Sequence, residues 1–125
     1  MRNMELLNLT PDQIDDAYYS LGVRRFIGLP TNLQQLFSNV PPELPTLMEY
    51  LQPITQWLGT HVQTGDYVLI QGDFGMVYHL VNYCKQINVI PIYSAIDRNS
   101  SETTQADGSI IIQKRFKHKI FRRYF

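Results

Sequence analysis

The stretch Gly65-Asp66-Tyr67-Val68-Leu69-Ile70-Gln71-Gly72-Asp73-Phe74-Gly75 decides the fold. Residues 67–70 are strand-forming side chains without polar alternation, which is typical of a strand buried on both faces. After the glycines, apolar side chains recur at helical spacing from Val77 to Ile87. The stretch therefore predicts a central strand that turns directly into a helix packed back on the sheet.

Two further helices are indicated by capping and periodicity. Thr10-Pro11-Asp12-Gln13 predicts a capped helix start, and Gly22 predicts a left-handed stop after Leu21. Apolar residues at helical spacing over 47–62 predict another helix. Pro53 lies inside that segment and is expected to bend or divide the helix, because proline lacks the amide hydrogen.

The other segments complete an alternation of strands and helices. Strands are expected at 4–8, 23–29, 89–93, 110–112 and 116–125, with a helical turn near 33–37 and a polar, flexible loop at 97–108. This alternation is typical of a doubly wound sheet with right-handed crossovers. The expected fold class is a single Rossmann-like α/β domain in three layers, with strand order 2-1-3-4, a mainly parallel sheet and an antiparallel C-terminal strand or hairpin.

Composition limits the class of protein. The chain has 125 residues, 44% hydrophobic and 18% charged, as expected of an ordinary globular domain. Its single cysteine, Cys84, excludes an internal disulfide and indicates a reducing compartment. It has no apolar stretch near the roughly 18 residues that cross a bilayer, and no secretion signal is evident at the N-terminus. We expect a cytoplasmic protein with no membrane partner.

Charge is distributed unevenly although it sums to zero. Six basic residues and no acidic one lie between Lys114 and Arg123. This predicts an anionic partner near the C-terminus, or an edge strand protected from pairing by its cations, and charge alone leaves both open. The zero net charge does not favour stable binding of duplex nucleic acid.

The expected ligand site lies beyond the carboxyl ends of the strands. That rule selects the segment 71–75, Asn8, Asn39 and Ser94. Glycines allow close approach of the backbone, and a helix N-terminus favours phosphate. Alternatively, Gly72 and Gly75 only permit the turn and Asp73 caps the helix. The segment lacks the glycine spacing of a dinucleotide-binding turn and the lysine of a P-loop.

The histidines do not predict a metal site. His61, His79 and His118 have no partner at ligand spacing, so neither a metal nor a cofactor is expected. His118 lies in the segment 116–124, where aromatic and cationic residues alternate. Such alternation can stack bases and hold phosphates, or it can belong to an edge strand that packs its apolar side chains inward.

Several stretches resemble a known family, the Csx-type CRISPR-associated proteins, specifically the member numbered twenty. The resemblance covers nearly the whole chain in order, and residues 65–75 are its most specific part. The matching stretches are Ser20-Leu21-Gly22-Val23, Leu36-Phe37-Ser38-Asn39-Val40-Pro41-Pro42-Glu43, Tyr50-Leu51-Gln52-Pro53-Ile54-Thr55-Gln56-Trp57-Leu58, residues 65–75, Ile90-Pro91-Ile92-Tyr93-Ser94, and Phe116-Lys117-His118 with Phe121-Arg122-Arg123-Tyr124.

That family is similar in fold to the CARF domains, which bind cyclic oligoadenylate. The resemblance implies a ring nuclease that linearises this second messenger and switches off type III CRISPR effectors in antiviral defence. It also implies a homodimer, with a cyclic ligand, expected to be the tetra-adenylate, across the two-fold axis. Ring opening needs no metal, because a ribose 2′-hydroxyl can attack its adjacent phosphate in line.

The implied chemistry assigns residues to roles. The catalytic candidates are His118 as acid or base, Asp73 as an alternative base, and Arg122 for phosphate charge. The candidate ligand-binding residues are Asn8, Asn39, Gln71, Gly72, Phe74, Gly75, Ser94, Arg98, Lys119 and Arg123. The chain departs from the family pattern at Leu6-Leu7-Asn8-Leu9-Thr10, which has no histidine, so Asn8 is the nearest polar candidate there.

Two other functions fit the same sequence. A non-catalytic binder would sequester or sense the messenger, giving tight binding without a linear product. A regulatory or structural accessory subunit would use the basic C-terminal segment to bind RNA or a protein, and RNA binding would depend steeply on salt.

Overall fold

Four helices and five strands make up the part of the chain that the structure, a computed structural model, describes: residues 3–4 and 9–125. In chain order they are β1 (Asn3–Met4), α1 (Pro11–Leu21), β2 (Arg25–Phe26), α2 (Thr31–Ser38), α3 (Met48–His61), β3 (Tyr67–Leu69), α4 (Phe74–Gln86), β4 (Ile90–Thr104) and β5 (Ile110–Arg123). The fold is α/β, as the sequence predicts.

The strands form mixed sheets. β1 pairs in parallel with β2, and β3 pairs in parallel with β4, while β5 is antiparallel to β4. β1 lies beside β3, so these pairings are compatible with the expected order. The antiparallel pairing is much the longest, from Ile92 opposite Arg123 to Thr104 opposite Ile110, so the sheet is mixed rather than mainly parallel.

Helix α1 begins and ends where the sequence predicts. The Thr10 hydroxyl accepts a hydrogen bond from the Gln13 amide, and the Gln13 side chain accepts one from the Thr10 amide, which completes the capping box. Gly22 ends the helix in the left-handed region at φ 73°, a conformation that glycine adopts without a steric penalty. Two adjacent strand predictions differ: β2 covers only Arg25–Phe26 of the expected 23–29, and residues 5–8 of the expected first strand lie outside the described residues.

Helix α3 runs through Pro53 without being divided. Pro53 is exposed and removes one backbone hydrogen bond, but Leu51, Ile54 and Leu58 on the opposite stripe are fully buried. Burial of each such side chain contributes roughly 1.5–3 kcal/mol, which offsets the cost of about 3 kcal/mol for an interior proline. The eight-residue helix α2 replaces the expected single turn near 33–37.

Helices cover both faces of β3. Val68 and Ile70 pack with Met76, Leu80 and other residues of the helices α2, α3 and α4, whereas Tyr67 and Leu69 pack with Ala17 of α1 on the other face. All of Tyr67–Leu69 is buried, as the unbroken apolar run predicts. Cys84 of α4 is also fully buried in the larger core.

The prediction of a flexible loop at 97–108 is wrong. β4 continues to Thr104 and pairs residue by residue with β5, so only the tip near Gln105–Ser109 turns. The predicted strands at 110–112 and 116–125 are one strand whose partner is β4. The outer part of this β4–β5 arm exposes both faces, so its polar residues do not show the alternation that marks a half-buried strand.

No helix among residues 3–4 and 9–125 combines the length and the apolar character that crossing a bilayer would require.

Candidate functional site

A chain of polar contacts begins just past the carboxyl end of β3. The Gln71 side-chain oxygen accepts a hydrogen bond of 2.8 Å from the Ser94 amide, which ties this turn to β4. The Ser94 hydroxyl lies 2.5 Å from Nδ1 of His118 on β5, and Ser94 is buried. Three residues chosen from the sequence are therefore joined directly.

Asp16 extends this cluster from the other side of the imidazole. Its Oδ2 atom lies 2.8 Å from His118 Nε2, and its Oδ1 atom accepts a 2.6 Å hydrogen bond from the Ser20 hydroxyl one helical turn away. The His118 side chain is 4% exposed and that of Asp16 is 20% exposed. The His118 ring also contacts Phe121, with centroids 4.4 Å apart.

The surroundings of Asp16 favour its ionised form. Partial burial raises the pKa of this carboxyl, but hydrogen bonds from Ser20 and His118, the charge of His118 and a backbone bond from Phe121 together hold the pKa below its ordinary value. The Asp16 carboxylate is therefore ionised at neutral pH and acts only as a hydrogen-bond acceptor.

An aromatic pocket of about 340 Å³ opens at the same end of the sheet, lined by Gln71, Gly72, Phe74, Val77, Tyr93 and Tyr124. Tyr93 precedes Ser94 on the strand, so the two side chains point to opposite faces of the sheet. Gln71 borders the pocket and also contacts Ser94, and therefore links the two halves of the site.

The guanidinium of Arg122 and the hydroxyls of Tyr93 and Tyr124 are polar groups near this pocket. Arg122 Nη1 donates a 3.0 Å hydrogen bond to the Tyr93 hydroxyl, so a guanidinium lies at the pocket's border. The Tyr124 hydroxyl donates a 2.5 Å hydrogen bond to the Ile70 carbonyl, and burial raises the pKa of that hydroxyl, with a smaller contribution from Tyr93. The rings of Tyr93 and Tyr124 are tilted, with centroids 4.9 Å apart.

The turn into α4 has a structural role of its own. Asp73 caps the helix, because its Oδ2 atom accepts a 3.0 Å hydrogen bond from the Met76 amide. Gly72 has φ 146°, and a Cβ there would lie 2.9 Å from the Met76 methyl. A Cβ at Gly75 would lie 3.3 Å from Leu47, so both glycines serve packing at this turn. Phe74 follows the cap and is 94% exposed beside the first-turn amides.

The remaining sequence candidates lie outside these contacts or beyond description. Asn8 lies outside the described residues. The Asn39 side chain donates to Gln35 of its own helix, and its carbonyl accepts from Tyr50 of α3. Arg98 lies four residues further out on β4 than Ser94, and Lys119 and Arg123 are exposed on β5.

Sequence reasoning missed Asp16, Ser20, Tyr93 and Tyr124. Asp16 and His118 are 102 positions apart, and only the sheet and α1 bring them together. The one local signal is the spacing of Asp16 and Ser20 at i and i+4, which also occurs on ordinary solvated helix faces.

Two larger grooves are also present, and the second reaches Asp73 and Gly75 at the turn into α4. One, of about 650 Å³, lies between α3 and α4 and is bordered by Glu49, Tyr78 and Asn82. The other, of about 550 Å³, follows the proline-rich segment 40–48. His79 borders both grooves. Within the described part of the chain, no three His, Cys, Asp or Glu side chains cluster as metal ligands do.

The geometry defines an α/β protein with a histidine-centred hydrogen-bond network and an aromatic pocket at one end of its central strand. Residues 3–122 match the Uncharacterized protein MJ1673 family, so the chain belongs to that family. It is 48% identical over 116 residues to the Uncharacterized protein MJ1673 of Methanocaldococcus jannaschii, covering 93% of this chain and 89% of that protein. No solved structure matches it.

Proposed function

We propose that this protein is a cytoplasmic, metal-independent ring nuclease of Rossmann-like, CARF-like architecture. It binds cyclic oligoadenylate, with the tetra-adenylate as the expected ring, and linearises it to switch off type III CRISPR signalling. The observation that carries the proposal is the meeting, at Gln71, of the His118 network and the aromatic pocket. One half suits proton transfer and the other suits a nucleobase.

The pocket has the chemistry that adenine requires. Its volume of about 340 Å³ lies at the small end of ligand pockets, where one base is a reasonable occupant. Exposed Phe74 and the paired rings of Tyr93 and Tyr124 offer faces on which a base can stack. A Gln71 amide at the border can hydrogen-bond a base edge or a ribose hydroxyl.

Several groups at this end of the sheet can oppose the negative charge of phosphate. Arg122 is held at the pocket by Tyr93, and its remaining guanidinium donors can bind phosphate oxygens. The first-turn amides of Phe74 and Gly75 lie at a helix N-terminus, which favours anions. Lys119 and Arg123, both exposed on β5, add positive potential nearby.

The reaction is an internal transesterification. The ribose 2′-oxygen attacks the adjacent phosphorus, the bond from phosphorus to the 5′-oxygen breaks, and a 2′,3′-cyclic phosphate remains. Arg122 stabilises the charge that develops on the phosphorane, and His118 is the group that takes up the proton.

A second copy of the chain completes the proposed assembly. A cyclic ligand with two-fold symmetry is bound most simply by two identical surfaces across its axis. The β4–β5 arm exposes Ile96, Ile110 and Ile112, which supply apolar area for such an interface.

The test is incubation of the purified protein with cyclic tri-, tetra- and hexa-adenylate in excess EDTA, followed by chromatography of the products. We expect one ring to be converted to linear product. His118→Ala and Arg122→Ala should lose the activity, whereas His61→Ala and Arg24→Ala serve as matched controls away from the site. Persistence of every ring in the wild-type reaction would reject the nuclease.

Sequestration of the ring is the second candidate, and the burial of His118 favours it. With only 4% of its side chain exposed, the imidazole does not meet a ligand directly in this conformation. A pure binder would retain the cyclic compound in a stable complex and return it unchanged after denaturation.

A further inference from the structure

We propose that two copies of this chain associate by placing the β4–β5 arm of each copy on a helical face of the other. The arm is the outer part of the two strands, residues 96–104 paired with residues 110–118. The inference names the surfaces of the proposed homodimer and rests on that part of the proposed function, but not on the identity of the ligand. The helical face comprises the two larger grooves and four exposed side chains, Leu44, Met48, Phe74 and Tyr78.

The β4–β5 arm carries apolar side chains that its own chain leaves exposed. Ile110 and Ile112 are 60% exposed and Ile111 is 44% exposed, so isoleucines face solvent on both sides of the arm. Two paired strands without a covering layer are only marginally stable in water. Burial of these side chains against a second surface therefore favours association.

The helical face offers such a surface. Phe74 is 94% exposed and Tyr78 is 74% exposed, and the two are neighbours on α4 because they lie one helical turn apart. Met48 is 68% exposed and borders the same two grooves as Tyr78. Protein interfaces are enriched in Tyr, Phe and Met, so this group of side chains is typical of a surface that a protein covers.

Opposite charges distinguish the two surfaces. Residues 26–84, which include α2, α3 and most of α4, contain four acidic residues and no lysine or arginine. Residues 96–125 contain seven basic and three acidic residues. Glu49 and Asp73 border the grooves, whereas Lys117 is exposed on the arm. An arm and a helical face therefore attract each other, whereas two arms or two helical faces repel.

Both surfaces lie at the same end of the sheet. β4 pairs in parallel with β3 and continues past its carboxyl end, where α4 begins at Phe74. A two-fold axis at this end can bring each arm to the helical face of the other copy, so that the contact is made twice. The arm contains nine residue pairs. Two contacts of about 30 Å by 10 Å remove about 1,200 Å² from solvent in total, at the lower end of the range for specific interfaces.

The exposed side chains favour a protein over RNA as the partner of the arm. Single-stranded RNA is held by cations together with aromatic rings on which its bases stack. The large apolar side chains that the structure shows exposed on the arm are isoleucines, which pack against protein surfaces. RNA would also leave the acidic helical face uncovered, because like charges repel.

Sedimentation equilibrium of the full chain without any ligand tests the association. We expect a dimer whose dissociation constant rises with salt, because salt screens the opposite charges. A chain that remains monomeric up to about 100 μM, whether or not its arm binds single-stranded RNA, would overturn the proposal, because specific interfaces typically give micromolar or tighter dissociation constants.

An exchange of charges tests which surfaces meet. Tyr78→Lys adds a cation to the helical face and Ile111→Glu adds an anion to the arm, and each should weaken the homodimer at least about tenfold. An equal mixture of the two variants should form a heterodimer, because one contact is then wild type and the other has its charges exchanged. Tyr19→Lys and Ile14→Glu alter α1 at positions of similar exposure and should leave association unchanged.

Circular dichroism verifies that each variant is folded, and Lys117→Glu is a second arm variant that keeps Ile111 in place. A dimer that tolerates Tyr78→Lys, or one that tolerates both arm variants, would overturn the exchange of arms. The expected pattern of association in a protein that leaves every cyclic oligoadenylate intact would support the interface and reject the proposed nuclease.

Discussion

The coupling between Asp16 and His118 should be measurable in the stability of the protein. We consider a double-mutant cycle with Asp16→Ala, His118→Ala and the double variant. Exposed ion pairs contribute about 0.2–1 kcal/mol, whereas hydrogen bonds to charged groups contribute about 1.5–3 kcal/mol. The imidazole is 4% exposed and the carboxylate 20% exposed, and other donors also serve Asp16. We therefore expect a coupling free energy near the lower end of the range for hydrogen bonds to charged groups, about 1.5 kcal/mol.

The sign of the pH dependence follows from the lowered pKa of Asp16. Because the native pKa lies below the ordinary value of 3.8, native Asp16 binds its proton less readily than the unfolded chain does. Its stabilisation is complete above the ordinary carboxyl range and is lost as pH falls through the lowered native pKa. The wild-type free energy of unfolding should therefore fall more steeply in acid than that of Asp16→Ala.

Urea unfolding followed by circular dichroism provides the free energies for all four proteins. Asp15→Ala, which removes an exposed carboxylate from the same helix, should change stability by no more than about 0.5 kcal/mol. The reasoning is refuted if the two single substitutions change the free energy of unfolding by amounts whose sum equals the change in the double variant within about 0.3 kcal/mol. The two side chains would then be adjacent without being coupled.

Three further substitutions test other parts of the site. Tyr124→Phe should lower the free energy of unfolding in urea by about 1–3 kcal/mol, because the buried Ile70 carbonyl loses its donor. Gly72→Ala should lower stability by about 1–3 kcal/mol in thermal unfolding, because its φ of 146° disfavours a side chain and its Cβ would meet Met76. Arg122→Ala should slow ring cleavage about 10²–10³-fold, as loss of one transition-state donor does.

Each of these substitutions has a matched control. Tyr19→Phe removes an exposed hydroxyl and should leave stability unchanged. Gly108→Ala also replaces a glycine with positive φ, but with nothing within 4 Å it should cost less than Gly72→Ala. Arg24→Ala removes a cation that lies over Tyr18 and should leave cleavage unchanged. Equal effects in a variant and its control would contradict the corresponding interpretation.

Local signals in the sequence predict the local structure well. Thr10 and Gln13 predict where α1 begins, and Gly22 predicts where it ends, because capping depends on residues that are close in the sequence. The run 67–70 predicts β3 because burial on both faces requires an unbroken apolar segment. Both features depend on a few adjacent residues, which is why sequence alone suffices.

Features that depend on distant pairing are not predictable in this way. The segment 97–104 is a strand because each residue pairs with one of β5, and the polar side chains of residues 97–98 and 102–104 are exposed on the arm. His118 and Ser94 could be selected from the basic segment and from the strand-end rule. Asp16 could not, because its role depends on α1 crossing the sheet at one particular place.

The burial of Cys84 turns the only thiol of the chain into a natural reporter of structural opening. Burial raises the pKa of the Cys84 thiol to about 12, so almost none of the thiol is ionised to the reactive thiolate at neutral pH. The packing of α4 against the core also shields the thiol from reagents. An alkylating dye can modify the native protein only after α4 separates from β3. The rate at which the dye labels the wild-type protein therefore measures how often α4 separates from β3.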